Sequence, residues 1–378
     1  MDALSAAAAL LPDLRVEGAE TLRQSERSEV LRVQVDGPGW PGPPTLIVKL
    51  YPDAGESWAR ESAALAAMPG TAPVPRLIAA STDPAAIVMT DAGTGPSLAT
   101  ALLGRDPARA TAATAQFAGA LAALHLATQD ARETFTTELA ARSGGTVPPA
   151  LMPAMVTSAA GALDRFCGQF GVTVPPGSLA ELEDLPARLA GSGPSALTLA
   201  DACPDNNVRT PGGYLLIDFE EAEWRPVAWD VAYLTVPWPS CWCCFTLPAV
   251  VTRQALDRYR SVAAGRLRYL GTPAFDHDVA LATAGWAMVS SSWFLGRASG
   301  EDPRFDSGDD EIDETGELPT RRTVIAHRLA AAQRTEGLPA LASLAGRLRA
   351  ALIKRWGGES PLRLAPAFRP GLSASRTS

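Results

Sequence analysis

Three oxygen-bearing side chains stand out by type and spacing in the stretch LADACPDNNVRTPGGYLLIDFEEA, residues Leu199–Ala222. Asp201 is followed five residues on by the amide Asn206, and Asp218 closes an apolar run after a Pro-Gly-Gly turn. Magnesium is a hard cation and takes oxygen ligands. An amide oxygen from Asn206 and a carboxylate from Asp218 suit a metal that bridges phosphate oxygens. Asp201 is then left to accept a proton from a hydroxyl and to aim that hydroxyl at phosphorus. The turn Thr210–Gly213 folds the ligand-bearing segments back beside each other.

Such chemistry needs a cation on the phosphates, and lysine usage singles one out. The chain has only two lysines among its 33 basic residues, Lys49 and Lys354. Lys49 sits inside TLIVKLY (Thr45–Tyr51), a predicted strand interior where a charge is costly without a partner. A compact ammonium is wanted there rather than a guanidinium fork. Glu61, in the middle of a predicted helix, is the first candidate for its partner, and Glu56 the second. The plain alternatives are turn chemistry for the Asp and Asn residues, an edge-strand lysine, and a solvated helix face for Glu61.

The elements that must position these groups are legible in outline. EVLRVQV (Glu29–Val35) alternates with period two, GPGWPGPP (Gly37–Pro44) is a loop, and TLIVKLY follows as hairpin partner. Residues Asp53–Met68 have helical spacing, and VPRLIAAS and AAIVMTDAG read as two more strands. From Ala99 onward the pattern is helical. Asp106 and Pro107 open a long Ala-rich helix to Thr128, and helical spacing recurs at 150–190, 253–270, 279–295 and 323–335. The expected fold is therefore α+β. A small β-rich N-terminal lobe (1–93) and a large, mostly α-helical C-terminal lobe (94–378) meet at a hinge near 90–95.

Composition agrees with a globular chain of two lobes: 378 residues, 47% apolar and 20% charged. A net charge of −8 argues against a nucleic-acid partner but leaves room for a cationic or metal-chelated substrate. The N-terminal apolar run has no basic flank and is cut by Pro12 and Asp13, well short of a membrane span. It reads as a capping helix of a cytoplasmic protein with no membrane partner. The five cysteines, Cys167, Cys203, Cys241, Cys243 and Cys244, read as reduced thiols rather than a disulfide framework.

Taken together, LADACPDNN, LIDFEEA and VAWDVAYL resemble the aminoglycoside phosphotransferase and choline-kinase-like group, small-molecule kinases with a protein-kinase-like fold. FAGALAALHLAT resembles a helix of the same family, and the likeness in order and spacing runs over roughly residues 20 to 240. The resemblance implies ATP and Mg2+ as cofactors and a small-molecule hydroxyl as acceptor. It implies Asp201 as the base, Asn206 and Asp218 as metal ligands, Lys49 as the α/β-phosphate lysine and Glu61 as its partner. MTDAG, with Thr90, Asp91 and Ala92, would be the adenine-binding hinge, and Asp230 a buried acid that anchors a helix. The chain departs from the pattern in three places. Leu199 replaces the family's histidine, which bears on loop geometry. The nucleotide-covering turn LRQSERSEV (Leu22–Val30) has no glycine, although Ser25 and Ser28 offer hydroxyls. Asn207 follows Asn206 where an aliphatic residue is usual, and is the fallback ligand.

Some features stay outside that assignment. PWPSCWCCF (Pro237–Phe245) lacks a standard zinc spacing and reads as packing. Trp224, Trp238 and Trp242 offer aromatic faces for a cationic amine. The run Glu301–Glu317, with nine acids and one arginine, reads as a solvated loop; folded over the acceptor it would attract polyamines such as aminoglycosides. His125, His277 and His327 carry no motif. The rival functions are a non-catalytic pseudokinase that binds nucleotide or ligand, suggested by Leu199 and the glycine-free turn, and a kinase for a metabolite such as choline, a sugar or homoserine.

Overall fold

The computed structural model describes residues 8–12, 14–37, 42–241, 243–263, 265–298 and 319–369. Trp242, the acidic run Glu301–Glu317 and residues 38–41 of the 37–44 loop lie outside the described residues. The N-terminal part is one antiparallel sheet of β1 (Arg15–Gln24), β2 (Glu29–Asp36), β3 (Thr45–Leu50), β4 (Leu77–Thr82) and β5 (Ala85–Thr90). Its strand order is β1-β2-β3-β5-β4. Successive side chains point to opposite faces. Leu31, Val33 and Val35 of β2 therefore join Leu46, Val48 and Val88 in an outer apolar layer, capped by Leu11. The opposite face of β3 carries Ile47 and Lys49. Lys49 is in register with Val30 on one side and Ile87 on the other, so it belongs to an interior strand and not an edge.

Helix α1 (Glu56–Ala67) covers that opposite face. Trp58 Nε1 donates to the Ala86 carbonyl at 3.1 Å and pins the helix to β5. Arg60, only 2% exposed, reaches out of the lobe to the carbonyls of Ala222 (3.1 Å) and Pro149 (2.7 Å). The same helix thus packs on the sheet and holds the helical part.

The chain crosses over through Asp91–Ser97. Two glycines make the crossing possible. Gly93 has φ +88°, and a Cβ on Gly95 would sit 1.8 Å from the Arg209 carbonyl oxygen. The helices that follow are α2 (Leu98–Leu103), α3 (Pro107–Ala127), α4 (Arg132–Arg142), α5 (Leu151–Phe170), α6 (Ser178–Glu183), α7 (Leu185–Ser192) and α8 (Ala228–Val231). They continue with α9 (Ala249–Ala263), α10 (Pro273–Ala298), α11 (Arg321–Gln333) and α12 (Pro339–Trp356). Asp106 caps α3 by accepting from the amides of Ala108 and Arg109 at 3.0 Å, as its Asp-Pro start predicts. Two helices, Pro107–Ala127 and Pro273–Gly296, are long and apolar enough to cross a membrane, yet both are mostly buried against neighbouring helices.

Two short antiparallel pairs carry the motif: β6 (Ser195–Thr198) with β9 (Glu223–Pro226), and β7 (Asn207–Thr210) with β8 (Gly213–Leu216). The Asp201 loop runs from β6 to β7. The predicted strand GYLLIDF is shorter than expected. It ends at Leu216: Ile217 N still donates to Asn206 O at 3.1 Å, but Asp218 turns to φ 68° and leaves the extended conformation.

Candidate active site

Lys49 is where two halves of the chain meet. Its Nζ lies 2.6 Å from Glu61 Oε2 on α1, 2.7 Å from Asp218 Oδ1 and 3.5 Å from Glu220 Oε2. Tyr51, just past the end of β3, also donates to Glu61 Oε2. Burial disfavours the Lys49 ammonium, but Glu61, Asp218 and Glu220 outweigh it and raise the group above its ordinary value. The lysine is therefore a fixed positive charge at the floor of the cleft. Asp218 is the mirror case. Burial opposes its ionisation, while Lys49 first, then Arg23 and Arg27, hold the carboxyl below the usual range.

The Asp201 loop is strained at one residue. Ala200 has φ 65°, in the left-handed region that a residue with a Cβ rarely visits. Its backbone is held on both sides: the amide donates to Thr198 Oγ1 (3.2 Å), and the carbonyl accepts from Arg225 Nη2 (2.8 Å) and Tyr233 Oη (3.3 Å). Arg225 is itself fixed by the buried Asp230, which also meets His125 Nε2 at 3.2 Å. Leu199 lies in the core, and these donors hold the loop from outside it. Ala200→Gly is expected to stabilise the protein by about 1 kcal/mol, read as a rise in the midpoint of urea unfolding. A loss of stability would show that the backbone is not held in this conformation.

The side chain of Asp201 accepts from Ser240 Oγ and from Tyr233 Oη (3.4 Å) on Oδ1, and from Asn206 Nδ2 (3.1 Å) on Oδ2. Burial raises its carboxyl, Ser240 and Cys203 pull it back, and Asp218 and Asp205 raise it again. The two neighbouring asparagines are separated by their bonds. Asn207 caps α2 through Leu98 N (2.9 Å) and donates to the Pro204 carbonyl (2.9 Å), so both ends of its amide are committed to packing. Asn206 commits only its nitrogen, to Asp201, and lines the cleft. Its amide oxygen and the Asp218 carboxylate are hard donors on the same wall, a set that fits a hard divalent cation.

The cleft between the two halves has a volume of about 260 Å³. Lys49, Asn206 and Asp218 line it, as do Ser28, Thr90, Asp91 and Ala92. Ser25 does not line it: its hydroxyl staples the hairpin turn, bonding the amides of Arg27 (3.3 Å) and Ser28 (3.2 Å). What the glycine-free turn brings instead is arginine. Arg23 lines the cleft, and Arg27 Nη1 reaches Glu220 Oε1 at 3.0 Å, a contact between residues too far apart in sequence for spacing to reveal. At the hinge, Arg32 Nε holds Asp91 Oδ2 at 2.6 Å, and Gly93 N donates to the same carboxylate at 2.7 Å. Thr90 Oγ1 accepts from Arg76 N at 2.9 Å.

Glu221 was missed by motif reasoning. Burial pushes its carboxyl up to about 7, and Asp201 and Glu220 add to the effect. The expectation of aromatic faces for a cationic amine needs correction at Trp238. Trp238 is 1% exposed and packs edge-on to Phe117, so its ring offers no face to a ligand; Trp224 packs partly buried against the core. His125 serves Asp230 and Tyr259, and His277 meets Arg188. The cysteines of Pro237–Phe245 are buried, as packing predicts.

The phosphotransferase enzyme family matches residues 21–265, well over half of the chain. Among solved structures, an ethanolamine kinase from Plasmodium vivax is 13% identical with a TM-score of 0.53, over 88% of this chain and 85% of that one. A choline kinase from Cryptosporidium parvum is 11% identical with a TM-score of 0.50, over 89% and 94%. A thermostable mutant of the aminoglycoside phosphotransferase APH(4)-Ia, in ternary complex with ADP and hygromycin B, is 12% identical with a TM-score of 0.45, over 93% and 98%. At these identities the likeness is one of fold. No curated protein matches the chain. The matched span begins within the arginine-bearing hairpin and runs past the segment that carries Asp218, so most of the sheet, the hinge and the Asp201 loop fall within it, and the chain belongs to the phosphotransferase enzyme family.

Proposed function

We propose that the protein transfers the γ-phosphate of ATP to a hydroxyl of a small molecule, with magnesium, and that the acceptor carries an amine. Residues 1–93 would hold the nucleotide and 94–378 the acceptor. The observation that carries this reading is the Lys49 ammonium, 2.6 Å from Glu61 in one half and 2.7 Å from Asp218 in the other. Lys49 and the hairpin residue Arg23 hold the phosphates in line, and Thr90, Asp91 and Ala92 flank the base. Asn206 and Asp218 would hold the cation, which neutralises charge on the transferred phosphate when bound. Asp201 orients the acceptor hydroxyl and takes its proton; no covalent enzyme intermediate is needed. An amine on the acceptor is favoured by the carboxylates gathered around the base, since Asp218 and Asp205 act on Asp201, and Asp201, Glu220 and Asp218 act on Glu221.

The test is a phosphoryl-transfer screen with Mg-ATP over aminoglycosides, amino alcohols and neutral sugars, read by mass spectrometry. Phosphorylated product from amine-bearing acceptors is the expected result. Turnover confined to neutral sugars would remove the amine from the reading. A thermal shift with nucleotide and no product from any acceptor would favour the non-catalytic alternative, for which the replacement of the family's histidine by Leu199 speaks.

A further inference from the structure

Spacing within Pro237–Phe245 supplies no metal-ligand set, but the fold adds what spacing lacks. Cys203 and Asp205, from the Asp201 loop, meet Cys241, and the two sulfurs and one carboxylate oxygen lie within 4.8 Å of one another. Cys241 Sγ donates to Asp205 Oδ1 at 3.4 Å, and Cys243 Sγ lies 3.4 Å from Cys241 Sγ. Two sulfurs on one tetrahedral zinc, each bonded at ~2.3 Å, stand ~3.8 Å apart, so little movement separates these thiols from ligand spacing. Cys203 and Cys241 are each 3% exposed, whereas Asp205 is partly exposed and lines the cleft, which gives an ion a way in.

A second observation points the same way. Arg328 on α11 is fully buried, and its Nε and Nη1 have no hydrogen-bond partner. Its Nη2 donates to the carbonyls of Pro237 and Trp238 and to Cys244 Sγ, each at 3.2 Å. Among the described residues no carboxylate pairs with it. A buried cation without an anion is costly. Two thiolates and a carboxylate around a divalent ion leave one net negative charge, which this guanidinium would offset across the segment that both touch.

We propose that Cys203, Asp205 and Cys241 bind a thiophilic divalent cation such as zinc, with Cys243 beside the fourth position, and that the ion ties the Asp201 loop to the Trp238–Cys244 segment. Thiolate donors separate this site from the oxygen pair Asn206 and Asp218, because sulfur selects soft cations over magnesium. Binding releases the two thiol protons to solvent. The proposal does not rest on the phosphoryl-transfer reading.

The experiment is a titration of the reduced full-length protein with cadmium as probe, in excess magnesium, followed by the ultraviolet thiolate-to-cadmium absorption. One equivalent should bind, and zinc in excess should compete for the same site. Cys203→Ser and Cys241→Ser should each weaken binding ~100-fold, and Cys167→Ser, on α5, should leave it unchanged. Asp205→Asn keeps every thiol and should also weaken binding, so it decides the matter should a cysteine variant fail to fold. The proposal is overturned by absence of the absorption, by its loss in magnesium, or by its persistence unchanged in the Cys203, Cys241 and Asp205 variants.

Discussion

Asp218→Asn is expected to lower kcat for phosphoryl transfer about 10³-fold and leave the fold intact. The carboxylate stands in two relations at once, 2.7 Å from Lys49 and on the wall that offers hard oxygen to a cation. Asparagine keeps its shape and tolerates the left-handed backbone at φ 68°, so the variant isolates the lost charge from any strain. The buried ammonium is not orphaned, since Glu61 remains at 2.6 Å and Glu220 at 3.5 Å. The thermal midpoint should therefore stay close to that of the parent, and nucleotide without magnesium should still bind. Half-saturation by magnesium should move to higher concentration. Wild-type turnover in Asp218→Asn would refute the assignment. Loss in Glu220→Gln alone would transfer the role to Glu220, which shares the same lysine.

Much of this site was legible because local periodicity sets it. Alternation along β3 puts Lys49 on the face of α1, and scarcity of lysine marks it out, so the Lys49–Glu61 pair follows from residues twelve apart. Asp201, Asn206 and Asp218 were legible for the same reason, being spaced along one loop and one hairpin. Other features were hidden for identifiable reasons. β1 is almost wholly exposed, so no apolar alternation announces it. Ala200 is unremarkable as a letter; its strain lies in a torsion that Arg225 and Tyr233 impose from later in the chain. Ser25 belongs to the expected turn but spends its hydroxyl on that turn, and sequence carries no sign of where a hydroxyl points. Trp238 has the composition of a binding residue and the burial of a core residue, and only packing distinguishes the two. The Cys203, Asp205 and Cys241 cluster is likewise invisible along the chain, because its parts come from two segments.

Asp201→Asn is expected to reduce kcat by ~10²–10⁴-fold with little change in KM for ATP, because it removes proton acceptance and not a phosphate contact. Asparagine can still accept from Ser240 and Tyr233 on Oδ1, and although it loses the bond from Asn206 Nδ2, that amide keeps its bond to the backbone carbonyl of residue 201, so the loop should keep its shape and the thermal midpoint should move little. The pH profile carries the sharper test. Burial raises the Asp201 carboxyl, and the base works only when ionised, so kcat should climb with pH through the folded-state value. Ser240 donates to the charged form and lowers that value, so Ser240→Ala must push it up and carry the acid limb of the profile to higher pH. A residue that merely supported the loop would lower the plateau and leave the limb where it was. A limb that moves to lower pH in Ser240→Ala, or an Asp201→Asn enzyme that turns over like the parent, would assign the proton to another group. Glu221, held near 7 beside Asp201, would be the next to replace.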